Sequence, residues 1–339
     1  MNNSGSTADG RQSSTSGRIL VLGATGFIGR RLLYRLDEMG CRVRCMVRRP
    51  EKWETPYPLK NEPEIVKGDL LDPASLENAL EGVDTAYYLV HSMGGKNFRE
   101  MRAFAEKDRM AAQNFVTAAD RSGLSRLIYL GGLGDVTDAG DMSHHLASRQ
   151  EVGQILSSGQ ARTTVLRAAV IIGAGGAGFE IIRYLVERLP VMLCPRWIYT
   201  RSQPVAVENV IDYLTGCLQN PSTAGETFDI GGPEVLDYRG LMEMYARVRG
   251  LRRFIVGVPF FYTTLSAYWV ALISPVPPGI VFPLAEGLKT TAVCRENRIR
   301  ELVPLELIPM EQAICNALAE EQQGPGKLLS RQSCFLSRA

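Results

Sequence analysis

Three glycines spaced three apart, Gly23, Gly26 and Gly29 in "GATGFIG", stand between an apolar run, "RILVL", and a segment with Leu32, Leu33 and Leu36 at helical spacing. Glycine permits a tight turn there and lets the backbone approach a pyrophosphate, while the amides that open the following helix can donate to an anion. The pattern is G-x-x-G-x-x-G and differs from the standard dinucleotide fingerprint, so the reading rests on the strand before it and the helix after it. The plainer alternative is a glycine-rich turn that holds nothing. About 20 residues on, an NAD site places a carboxylate for the ribose hydroxyls. Here the chain reads "CRVRCMVRRPEKW", with no acid before Glu51 and with Arg48 and Arg49 where a 2′-phosphate needs a cation. The expected cofactor is NADP, with NAD as the alternative. Arginines that merely solvate a strand end are the competing explanation.

Proton chemistry has two candidate positions. In "SHHLASRQEVGQIL", His145 and Arg149 stand four apart, on one face of a helix. A histidine with a reference pKa of about 6.5 suits proton donation, and an arginine can hold ribose hydroxyls. His91, in "LVHSMGG", is the second candidate. The plainer reading makes Ser143 a helix cap, leaves His144, His145 and Arg149 on the surface, and makes His91 a structural residue at a strand end. For a substrate, Trp197, Tyr199, Tyr262, Tyr268 and Trp269 offer aromatic surface, and Arg196, Arg201 and Gln203 offer polar contacts. That combination suits a small, rather apolar molecule such as a quinone, isoprenoid or aromatic carbonyl. Core packing explains most of the aromatics equally well.

Elements must position these groups. Apolar β-rich runs ("RILVLG", "RVRCMV", "EIVKGDL", "DTAYYLVH", "RLIYLGG") alternate with helical patterns through the first half. Such alternation predicts βαβ units, and hence an α/β fold with a doubly wound, Rossmann-type parallel sheet. A long helix is expected from about Asn97 to Arg121, with Met101, Ala105, Asp108, Ala112, Phe115 and Ala119 forming one buried stripe. Asp108 is the one charge on it and is expected to satisfy a nearby backbone group or arginine. Beyond "TTVLRAAVIIG" the alternation breaks, which predicts a smaller lobe beside the sheet. The expected division is a tail over 1–17, a dinucleotide-binding domain over 18–235 with 176–200 crossing into the lobe, a C-terminal substrate lobe over 236–320, and a loose tail over 321–339.

The length of 339 residues allows about two domains. With 45% hydrophobic and 22% charged residues and a formal charge of +2, the chain has ordinary globular composition and no field that would gather nucleic acid. Seven scattered cysteines without close C-x-x-C pairs point to neither a disulfide framework nor a metal site, so a cytoplasmic location is expected. The Ser/Gly-rich start has no apolar core of the signal-peptide type. One stretch strains this picture: residues 254–284 carry no charge. Their proline-free part, Phe260 to Ser274, has 15 residues and several hydroxyls, which is short of the roughly 20 apolar residues a spanning helix needs. A buried or substrate-facing helix is expected, with peripheral membrane contact as the further option.

With these features in order, the sequence resembles the short-chain dehydrogenase/reductase superfamily in its extended and atypical branch, which includes the NmrA-like NAD(P)-binding proteins. The resemblance covers about residues 18–318 and rests on "GATGFIG", "VRR", "GDLLDPASLENALEGVD", "VAVENVIDYL" and "FDIGGPEVLDYRGLM". It implies that Gly23, Thr25, Gly26, Phe27, Ile28 and Gly29 line the pyrophosphate and that Arg48 meets the adenosine phosphate. Asp69 and Leu70 would then border the adenine, and Leu89 and Val90, with the strand end through Ser92, would approach the ribose. Reductases of this superfamily use a Tyr-x-x-x-Lys pair and a serine ending the fifth strand. Here His145 and Arg149 fall at the pair's positions, and the strand ends in Gly131 and Gly132. The first expectation for function is hydride transfer between NADP(H) and a small apolar substrate. The alternatives are a non-catalytic redox sensor and an accessory or assembly protein of a membrane respiratory enzyme.

Overall fold

The computed structural model describes residues 17–55, 57–92, 98–134, 143–258 and 270–323. Its centre is a seven-stranded sheet whose strands, numbered in chain order, are β1 (Arg18–Leu22), β2 (Arg42–Val47), β3 (Glu64–Lys67), β4 (Val83–Tyr88), β5 (Arg126–Gly132), β6 (Arg162–Ala168) and β7 (Thr227–Ile230). The spatial order is β3-β2-β1-β4-β5-β6-β7, and every pairing is parallel. A parallel sheet needs both faces covered, which is why Ile19 to Leu22 are apolar on both sides of the strand.

Seven helices matter here: α1 (Phe27–Glu38), α2 (Pro73–Leu80), α3 (Phe98–Ser122), α4 (His144–Ser157), α5 (Ala177–Arg188), α6 (Val207–Gln219) and α7 (Tyr238–Val248). On one face of the sheet Ile19 and Val21 pack with Leu32, Leu33 and Leu36 of α1 and Val210, Ile211 and Leu214 of α6. On the other, Leu20 and Leu22 meet Leu76 and Leu80 of α2, Ala112 and Phe115 of α3, and Val152 and Leu156 of α4. The stripe expected on the long helix is real: Ala112, Phe115 and Ala119 are buried, as is Asp108. The side chain of Met101 lies outside the described residues.

A third core joins α5 and α7 to the later chain through Phe179, Ile182, Leu241, Tyr245, Val281 and Met310. Three two-stranded ladders complete this region: 171–172 with 205–206, 201–202 with 236–237, and 191–194 with 254–257. The chain then returns to the sheet, placing Ile299 and Val303 in the core of α1 and α6. The uncharged stretch divides into the strand Phe254–Gly257, residues 259–269 outside the described set, and the helix Pro278–Gly287. Among the described residues no helix is long and apolar enough to cross a membrane.

Candidate functional site: a dinucleotide cleft with an altered reacting end

The register of the sheet assembles the site. Leu22 pairs with Met46 on one side and Tyr88 on the other, and Tyr88 pairs with Tyr129. The residues that follow, Gly23, Val47 to Arg49, Leu89 to Ser92 and Leu130 to Gly132, therefore emerge together at the carboxyl edge. The strand order reverses between β1 and β4, where ligands enter such sheets. A cavity of about 1060 Å³ lies along this edge.

At its middle, Gly23 turns the chain at φ 88°, and the amide of Gly26 donates to its carbonyl at 2.9 Å. Gly26 is the N-cap of α1 with no side-chain cap and no acid in the first turn, so the opening amides of the helix remain available to an anion. Gly23, Thr25, Gly26, Phe27 and Ile28 all line the cavity. Gly29 does not reach its wall. A Cβ on Gly29 would lie 2.0 Å from the Gly23 carbonyl oxygen, so this glycine sets how closely α1 packs on the turn. A second glycine-rich turn, 173–178, closes from the opposite side, and the ring of Phe27 packs on Gly173 and Gly176. Its run of glycines was the available signal, and sequence reasoning passed over it.

Where the adenosine is expected, the cavity is lined by Arg48, Arg49, Asp69 and Leu70, together with two residues not anticipated, Lys52 and Trp53. Arg48 and Arg49 are exposed to the cavity mouth, and neither guanidinium pairs with a carboxylate among the described residues. Asp69 spends one oxygen on the Leu71 amide, at 2.9 Å. Leu89 and Val90 line the cavity at the end of β4, followed by His91 and Ser92.

The reacting end brings the expected histidines together. The rings of His91 and His145 stand 5.8 Å apart, and Arg149 lines the same wall. Ser143 does cap α4, accepting from the Leu146 amide at 3.2 Å, and His144 faces outward to Glu286. His145 and Arg149, by contrast, are cavity residues and not the surface residues of the plainer reading. Burial, followed by the charge of Arg149, holds the His145 pKa down to about 4. Burial, Arg149 and His145 push His91 well below its ordinary value. Both shifts favour the neutral imidazole. The Arg149 guanidinium donates to the Leu130 carbonyl and stacks on the Tyr129 ring, whose hydroxyl donates back to the Arg149 carbonyl at 3.0 Å. A Cβ at Gly132 would lie 2.9 Å from Leu146 Cδ2, the movable end of that side chain, and one at Gly131 would lie 3.1 Å from the Tyr129 ring. Asp108 accepts from the Ser92 amide at 2.7 Å, which ties the end of β4 to α3 and fits the structural role expected for it.

Beyond the histidines the cavity continues between Trp197, Met242, Val281 and Leu288. Gln203 is not a substrate contact: its amide bridges the Gly232 carbonyl and the Cys294 amide. Arg196 and Arg201 lie outside the cavity on the surface. Tyr262, Tyr268 and Trp269 fall outside the described residues. Among the described residues no group of three His, Cys, Asp or Glu is placed to hold a metal.

Fold and cleft together define a dinucleotide-binding Rossmann protein. Residues 23–182 match the family described as NAD(P)H-binding. That match spans a little under half of the chain, which resembles the short-chain dehydrogenase/reductase superfamily in its extended and atypical branch. The chain is 27% identical over 320 residues to NADH dehydrogenase [ubiquinone] 1 alpha subcomplex subunit 9, mitochondrial, of Arabidopsis thaliana, covering 88% of this chain and 76% of that protein. It is 27% identical over 176 residues to the ceramide reductase of Caulobacter vibrioides, covering 52% of this chain and 53% of the relative. Among solved structures, a short-chain dehydrogenase/reductase superfamily protein from Agrobacterium tumefaciens with bound NAD shares the fold. Its TM-score is 0.66 at 18% identity, over 90% of this chain and 97% of that one.

Proposed function

We propose that this chain holds a nicotinamide dinucleotide, NADP in preference to NAD, as a non-turnover component of a larger redox assembly at a membrane. The observation that carries this reading is the contrast between the two ends of the cleft. At the adenosine end neither Arg48 nor Arg49 pairs with a carboxylate among the described residues, and the first turn of α1 has no side-chain cap. At the reacting end the two imidazoles are held neutral and Arg149 is committed to the Leu130 carbonyl. The likeness to an NADH dehydrogenase subunit over 88% of the chain supports the same reading. When bound, the dinucleotide's phosphates would meet Arg48, Arg49 and the opening amides of α1. A cytoplasmic location beside a membrane-bound partner is consistent with this role.

Calorimetric titration with NADPH and NADH tests the cofactor. NADPH should bind at least about tenfold more tightly, because a phosphate between two guanidiniums gains charge-assisted hydrogen bonds. Arg48→Glu should erase the difference. Equal affinities in the parent protein would remove the NADP assignment. Steady NADPH consumption with carbonyls or quinones, lost in His145→Ala, would remove the non-turnover role.

A second reading, hydride transfer to a small apolar substrate, is favoured by one specific observation: the cavity extends past His91 and His145 into apolar walls. The Caulobacter relative, a ceramide reductase, supports it. In that case protonation would draw on water and not on a side chain at the tyrosine position.

A further inference from the structure

We propose that the exposed face of the two-stranded ladder 191–194/254–257 is a docking surface for an anionic lipid bilayer. The ladder alternates strictly. Met192, Cys194 and Ile255 point into the third core, whereas Val191, Leu193, Phe254 and Val256 point to solvent. Register brings Phe254 beside Val191 and Val256 beside Leu193, so the four outward side chains form one patch. Phe254 is 70% exposed. The ring of Tyr199 lies over Gly257 and extends the patch at one end. Leu272, 83% exposed, precedes Ile273, whose carbonyl accepts from Arg188, three residues before the ladder. A cluster of large apolar side chains left in water on one face marks a contact surface.

Charge selects the occupant. Residues 188–207 contain three arginines and no carboxylate, and residues 244–285 contain four arginines and no carboxylate. Glu187, one residue before the first window, pairs with Arg249, so the cations left to the surface are the arginines without a carboxylate partner. Arg196 and Arg252, at opposite ends of the ladder, are exposed, and neither side chain pairs with a carboxylate among the described residues. Apolar and aromatic side chains rimmed by unpaired arginines match the interface of a bilayer containing anionic headgroups. An acidic protein surface would be drawn to the arginines but would leave Phe254 and Leu272 uncovered. The surface lies apart from the nucleotide cleft, so it does not depend on the function proposed above.

Cosedimentation of the full chain with vesicles of phosphatidylcholine alone, or of equal parts phosphatidylcholine and phosphatidylglycerol, tests the proposal. Binding is expected only with phosphatidylglycerol and should weaken as salt is raised. The double substitution Phe254→Ser with Leu272→Ser should weaken it by about tenfold or more, as should Arg196→Glu with Arg252→Glu. Circular dichroism and cooperative thermal unfolding report that each variant is folded; should the apolar pair fail to fold, the exposed arginine pair carries the test. No sedimentation with anionic vesicles, or equal sedimentation of parent and folded variants, overturns the proposal. A concentration-dependent dimer of the parent that the apolar variant abolishes overturns it in favour of a second copy as occupant.

Discussion

Gly29 and His145 show how single residues settle what the cleft can do. A methyl group on Gly29 meets the backbone oxygen of Gly23 at 2.0 Å, and no side chain can rotate away to relieve it. Gly29→Ala should therefore cost about 3 kcal/mol in chemical unfolding, the scale of overpacking in a rigid site. Gly26→Ala, whose Cβ meets the same oxygen at 3.2 Å, should cost less; equal losses would mean the turn is not the rigid element. His145 carries a pH signature. Its pKa is about 4 in the folded chain, while an unfolded chain takes up that proton near pH 6.5, so the unfolded state binds more protons in between. Stability should fall as pH drops from about 6.5 to about 4, and His91, shifted in the same direction, adds to the fall. His145→Asn should flatten this part of the profile. A parallel profile would show that the imidazole is not desolvated.

Elements were legible where one periodicity dominates. The long helix was expected from about Asn97 to Arg121 and runs Phe98–Ser122, because its buried stripe repeats at helical spacing. The ladder 191–194/254–257 was not legible, since two four-residue strands some sixty positions apart leave no local signal of their pairing. The C-terminal helix Met310–Gln323 also acts at a distance. Its Glu320 pairs with Arg31 of α1 at 2.6 Å, and Arg31 is buried while also donating to the carbonyls of Phe27 and Ala174. Glu320→Ala leaves a buried guanidinium without its carboxylate and should cost about 2–3 kcal/mol, toward the low end for a broken buried pair because two carbonyls remain. A loss no larger than that of an exposed pair such as Arg121–Glu77 would mean water replaces the carboxylate.

The whole molecule couples ligand to stability through one edge of the sheet. NADPH at a hundred times its Kd should raise the free energy of unfolding by about 2.7 kcal/mol. In Arg48→Glu, where NADPH binds about tenfold more weakly, the increment at the same concentration should fall to about 1.4 kcal/mol; an unchanged increment would place the 2′-phosphate elsewhere. Arg48 comes from β2, His91 from β4, His145 from α4 and Trp197 from beyond α5, so only the parallel register makes them one site.

Local sequence determined the strand, turn and helix around "GATGFIG", the cations after β2 and the spacing of His145 and Arg149 four apart on one helix, because backbone conformation and side-chain type are properties of short segments. Tertiary structure decided what those residues can do. Burial among Arg149, His91 and the end of β4 keeps His145 neutral, and the Leu130 carbonyl claims the Arg149 guanidinium. Desolvation and hydrogen-bond competition arise only when distant segments pack together, so the chemical state of this cleft belongs to the folded chain.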